Sequence, residues 1–107
     1  MISPLALFLI VLTGTCAGSL LPARWLPQWL PNDKVLHVGF YFALTMLALA
    51  EFNLAGWGAL AVLLVFAVGL ILEFVQNHVP GRGFSMGDIA SNTFGIMAGV
   101  AIHALLA

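Results

Sequence analysis

Between Glu73 and Asn92 the chain gathers acids, amides, a histidine and an arginine, and this stretch is flanked on both sides by long apolar runs. Glu73, Gln76 and Asn77 stand at i, i+3 and i+4, and Asp88 and Asn92 at i and i+4, so each set shares one face of a helix. The middle, Val79 to Gly87, reads as a tight loop: Pro80 has no amide hydrogen, and Gly81, Gly83 and Gly87 give the backbone freedom to turn. Asp88 then suits a helix start, where a carboxylate meets free amide hydrogens. A second polar set, Asp33, His37 and Tyr41 at steps of four with Lys34 beside the first, enters another apolar run from its beginning. Arg82 and Lys34 are the residue types that meet a phosphate or carboxylate. His37, Glu73 and Asp88 are the types that orient such a ligand or move a proton, which makes them the candidate catalytic residues.

What carries these groups is a membrane protein. Of 107 residues 63% are hydrophobic and 7% charged, whereas about a quarter of a soluble domain is charged. A membrane span needs about 20 apolar residues, and the chain divides into four such runs, near Ile2 to Leu20, Val35 to Ala50, Leu54 to Asn77 and Asp88 to Ala107. The expected fold is all-α: a single domain over residues 1–107, an integral membrane bundle of four transmembrane helices with a short interfacial segment after the first. A net charge of -1 excludes a basic nucleic-acid surface. Cys16 is the lone cysteine, so neither an intrachain disulfide nor a multi-thiolate metal site can form. The N-terminus lacks the Lys or Arg of a secretory signal and Thr15 is a poor cleavage neighbour, so the first run is expected to stay as an uncleaved span.

Along the chain, Gly14, Ala17 and Gly18 are small enough for another helix to approach the first run closely. Pro22, Pro27 and Pro31 bound an interfacial segment that Trp25 and Trp29 anchor at headgroup depth. In the last run Asp88, Asn92, Gly95, Gly99 and His103 fall on one face, and the GxxxG of Gly95 and Gly99 provides for close packing, within the bundle or between copies of the chain.

Four crossings put the first and third loops on one side of the membrane. That side collects Arg24, Asp33, Lys34, Glu73, Arg82 and Asp88, six of the seven charged side chains, together with His37, Gln76, Asn77 and Asn92. All three Lys and Arg are among them, so by the positive-inside rule this face is expected to be cytoplasmic. Two arrangements are open. In one, Arg82 forks between Glu73 and Asp88 and pins the loop to both helices. In the other, Arg82 and Lys34 face a bound anion while the acids and His37 orient them.

The ordered set Asp33-Lys34-x-x-His37-x-x-x-Tyr41, Glu73-x-x-Gln76, Pro80-x-Arg82 and Asp88-x-x-x-Asn92-x-x-Gly95 resembles the signature of the VanZ-like membrane proteins over Asp33 to about Gly99. The resemblance implies a small integral protein of the bacterial cytoplasmic membrane; the family's namesake is associated with resistance to the glycopeptide antibiotic teicoplanin. The expected function is recognition of an anionic headgroup or a lipid-linked envelope precursor by Asp33, Lys34, His37, Tyr41, Glu73, Gln76, Arg82, Asp88 and Asn92. One alternative is an enzyme acting on a lipid phosphate or ester, with His37 or Glu73 as base and Arg82 as clamp. Another is a small transporter that couples protons through Glu73 or Asp88. No cofactor is expected, since at most His37 and His78 could share a haem iron, and the sequence offers no dense carboxylate run for a divalent metal.

Overall fold

The computed structural model describes residues 2–30 and 32–106, which form four α-helices and no strand. Met1, Pro31 and Ala107 lie outside them, so the last residue of the expected interfacial segment and the last of the fourth span do too. The helices are α1 (Pro4–Leu20), α2 (Asp33–Glu51), α3 (Ala59–Gln76) and α4 (Met86–Leu106). Three of them are long and apolar enough to cross a membrane; α1, equally apolar, has 17 residues, at the lower edge of the range of about 17–25 that a span requires. Leu, Ile, Phe and Met side chains cover the outside, as suits a protein whose solvent is lipid.

The helix ends follow from local chemistry. Ser3 caps α1 by accepting the Ala6 amide, with Pro4 at the first helical position, where its missing N–H costs nothing. Asn32 caps α2 through the Lys34 amide, which leaves Asp33 inside the first turn. The third span is preceded by a five-residue π-helical turn, Leu54–Gly58, in which Gly56 leaves helical geometry. Between α1 and α2 the chain makes a 3-10 turn at Ala23–Trp25, with Trp25 and Trp29 exposed as interfacial anchors should be.

The two loops predicted to share one side touch each other. The Ala23 amide donates to the Pro80 carbonyl at 3.2 Å, and Gly81, at φ 76°, lies so near that a Cβ on it would come within 2.8 Å of the Ala23 Cβ. The chain parity read from the sequence is thus closed by a direct backbone bond.

The most extensive helix contact is α2 against α4. Gly95 makes it possible: a Cβ there would stand 2.5 Å from the Val38 carbonyl oxygen, and one at Gly99 would stand 2.9 Å from the Thr45 side chain. The GxxxG face is therefore filled by α2 of the same chain. Gly14 and Gly18 on α1 meet nothing within 4 Å. They admit no helix and instead leave space beside α1.

The two sets of glycines should respond oppositely to one methyl group. Gly95→Ala, which must push α2 backbone aside, is expected to cost about 1–3 kcal/mol, whereas Gly14→Ala should be near neutral; thermal unfolding in detergent measures both.

Candidate functional site

Each helix brings its polar residues to the same end. Asp33, Lys34, His37 and Tyr41 occupy the first turns of α2, Glu73 and Gln76 the last turn of α3, and Asp88 and Asn92 the first turns of α4. Arg82 comes from the loop between the last two. The α2–α4 seam sets the central contact: His37 Nδ1 lies 2.5 Å from Asn92 Oδ1, and Asn92 is 2% exposed. As a neutral imidazole, His37 donates Nδ1–H to that amide oxygen and presents the Nε2 lone pair on its other side. Nε2 lies 3.6 Å from Asp88 Oδ2. The Tyr41 ring, itself buried, stacks on His37 with centroids 6.1 Å apart and fixes the imidazole plane.

Asp88 is shared. Its other oxygen accepts from Lys34 Nζ at 3.3 Å. The lysine side chain is 56% exposed, so this pair is worth little in itself. Asp88 sits in the first turn of α4, as the sequence suggested, but it does not supply the cap. Ser85 does: its hydroxyl and carbonyl oxygens both accept the Asp88 amide, at 3.2 and 3.1 Å. A serine three residues ahead of an acid is a capping signal that was there to read. With the cap supplied by Ser85, the Asp88 carboxylate is released to face His37 and Lys34.

Glu73 is 1% exposed. Its Oε1 accepts the Ser85 amide at 2.6 Å. Among the described residues no other hydrogen bond reaches its carboxylate, and no Lys, Arg or His nitrogen comes within 4.0 Å of it. Ligand atoms of His37, Glu73 and Asp88, from three different helices, nonetheless all lie within 4.8 Å of one another. Two ionised carboxylates at that separation repel by on the order of 3 kcal/mol at an effective dielectric constant of about 20. The sequence offers no dense carboxylate run, and this grouping does not need one, because folding assembles it from single residues 36 and 15 positions apart.

Arg82 makes neither of the ion pairs that a fork between Glu73 and Asp88 would need. Nη2 donates to the Gly18 carbonyl at 3.4 Å, and no carboxylate lies within 4.0 Å among the described residues. The guanidinium instead lines a cavity of about 180 Å³ between α1, the first loop and α2. Gly14 and Gly18 form its α1 wall; Asp33, His37 and Tyr41 its α2 wall; Leu26, Leu30, Leu36 and Phe40 make much of the rest apolar. His37 thus borders both the cavity and the two acids. Gln76 is structural: Nε2 donates to the Ser19 carbonyl at 3.1 Å, satisfying a helix-end oxygen of α1. His78 is exposed, and His103 lies in the last turn of α4 at the other end. A larger cavity, about 370 Å³, opens near Glu51 and Phe52 at that opposite end and is walled almost wholly by apolar side chains.

The VanZ/LLP1 family matches residues 3–107. Among curated proteins, one from the fission yeast Schizosaccharomyces pombe, described as uncharacterized, is 33% identical over 104 residues. That alignment takes in 94% of this chain and 62% of the yeast protein, so the chain spans about six tenths of its relative's length. No solved structure matches.

Asn92 should hold the His37 tautomer. In ¹⁵N-histidine NMR, His37 is expected to show the Nδ1-protonated neutral form, and Asn92→Leu, which removes the acceptor at 2.5 Å, should give a mixture of both tautomers.

Proposed function

The chain belongs to the VanZ/LLP1 family, and we propose that it binds an anionic headgroup, of a membrane lipid or a lipid-linked envelope precursor, in the cavity beside Arg82. The observation that carries this reading is the state of the arginine: a permanent cation, only partly exposed, with a carbonyl as its partner in place of a carboxylate. A guanidinium keeps its charge in any surroundings and presents a planar fork of donors that suits phosphate or carboxylate oxygens. At about 180 Å³ the cavity is smaller than the roughly 300–1,000 Å³ of sites that enclose a whole drug-sized ligand. It fits a headgroup, with the acyl or prenyl chains left lying along Leu36 and Phe40 in the bilayer. Asp33, at the rim, accepts from hydroxyl or ammonium groups on the far side of the phosphate.

In a bacterial cytoplasmic membrane, Arg24, Lys34 and Arg82 at this end orient it toward the cytoplasm. A protein that holds an envelope precursor there would alter its supply to the outer surface, which is where a glycopeptide antibiotic meets it. An enzymatic reading has one observation in its favour, that His37 and Arg82 border the same cavity: the imidazole would act as base and the guanidinium as clamp. Loss in His37→Ala of turnover of a labelled lipid phosphate by the purified protein would establish it. Proton-coupled transport fits less well, since Glu73 and Asp88 sit within a turn of their helix ends and carriers place such acids deeper.

Native mass spectrometry of the detergent-purified protein tests the binding reading. Adducts of anionic-lipid mass are expected on the wild type and should fall roughly 10- to 100-fold in Arg82→Ala, the loss of one charge-assisted contact of about 1.5–3 kcal/mol. Arg82→Lys should restore part of the loss. Adducts that persist unchanged in Arg82→Ala, or that favour neutral lipids equally, would contradict it.

A further inference from the structure

We propose that His37, Glu73 and Asp88 form a binding site for one divalent transition-metal ion, of the zinc, cobalt or manganese kind. The proposal does not rest on the headgroup reading, because Arg82 is not among the ligands. Three features of the site support it.

The first is geometric. The three ligand atoms lie within 4.8 Å of one another, and His37 Nε2 is 3.6 Å from Asp88 Oδ2. Ligands at about 2.0–2.2 Å from a tetrahedral ion stand about 3.3–3.6 Å apart. The His37–Asp88 edge already has that length, and the Glu73 carboxylate closes the set by moving about 1 Å, a rotamer adjustment.

The second is the pairing of the lone pairs. In the neutral tautomer that gives Nδ1–H to Asn92, Nε2 and the carboxylate oxygen of Asp88 are two acceptors facing each other. Metal-bound histidines are held in this way, one ring nitrogen donating to a neighbouring oxygen so that the other points at the ion. Glu73 adds an independent indication. Its carboxylate is buried, turned into the same space, takes one backbone amide, and has no cationic side chain beside it among the described residues. A buried carboxylate is paired, protonated or held to a metal.

The third is chemical selectivity and access. One imidazole with two carboxylates suits zinc and its first-row neighbours better than magnesium or calcium, which prefer all-oxygen shells. The exposed Lys34 can swing off Asp88, which opens a route from the aqueous side. Three protein ligands leave a fourth position free for water.

The test uses purified full-length protein in detergent, stripped with chelator and titrated with Co²⁺. The wild type is expected to bind about one ion per chain, with visible d–d absorption that Zn²⁺ abolishes by displacement. His37→Ala and Glu73→Gln should each weaken binding by more than about 100-fold, Asn92→Leu by about 10- to 100-fold as a ligand-orienting residue; His103→Ala, at the far end of α4, should leave it unchanged. A readout needing no variant accompanies these: bound Co²⁺ should shift the NMR resonances of the His37 ring and spare those of His78 and His103. A wild type that takes up no Co²⁺ or Zn²⁺ beyond a detergent blank overturns the proposal. So does uptake that is indifferent to both substitutions and leaves the His37 resonances in place.

Discussion

The close approach of α2 to α4 is the constraint on which the rest depends. Two helices can come this near only where one of them has no side chain, and Gly95 lets the Val38 carbonyl rest against the α4 backbone. One residue earlier on α2 and one turn earlier on α4, that same proximity puts His37 within hydrogen-bonding distance of Asn92 and near Asp88. In lipid, where apolar surfaces gain little from meeting each other, such van der Waals contact and the polar contacts it permits are what hold helices together. The seam and the site are therefore one structure, and the small residues exist on α4 for the sake of the polar ones above them.

The second organising fact is how charge is divided. Three acids and three bases lie toward one end, and complete pairing would leave nothing to bind anything. Among the described residues only Lys34 and Asp88 of these six form an ion pair. Arg82 turns away from the acids to the α1 carbonyl and a cavity, while Glu73 and Asp88 crowd around an imidazole with only the exposed Lys34 to offset them. Arg82 thus lies on the cavity side of His37, bonded to a carbonyl, and the two acids lie beside the imidazole.

Much of this was legible before any coordinates. Hydropathy and parity gave the helix positions to within a few residues, and parity placed the first and third loops together, as the Ala23–Pro80 bond confirms. The spacing of Asp88, Asn92, Gly95 and Gly99 identified the face of α4 that turns inward. What spacing could not supply was the choice of partner. The sequence offered Arg82 either Glu73 and Asp88 or a bound anion, and its selection of the Gly18 carbonyl depends on where the first loop lets α1 end, a tertiary matter. The small residues of α1 looked like a packing surface because glycine has the same signature whether a helix or a cavity lies opposite. His37, Glu73 and Asp88 were each singled out, yet their grouping is a distance between three helices, which no one-dimensional pattern encodes.

Every role proposed for these residues requires that the polar groups meet on one side of the membrane, and sidedness can be measured directly. Single cysteines at positions 33, 82 and 51, introduced into a Cys16→Ala background, would be treated with a membrane-impermeant maleimide in intact cells and in inverted vesicles. Asp33→Cys and Arg82→Cys are expected to label from the same compartment and Glu51→Cys from the other. Labelling of positions 33 and 82 from opposite compartments would contradict the fold and the site together.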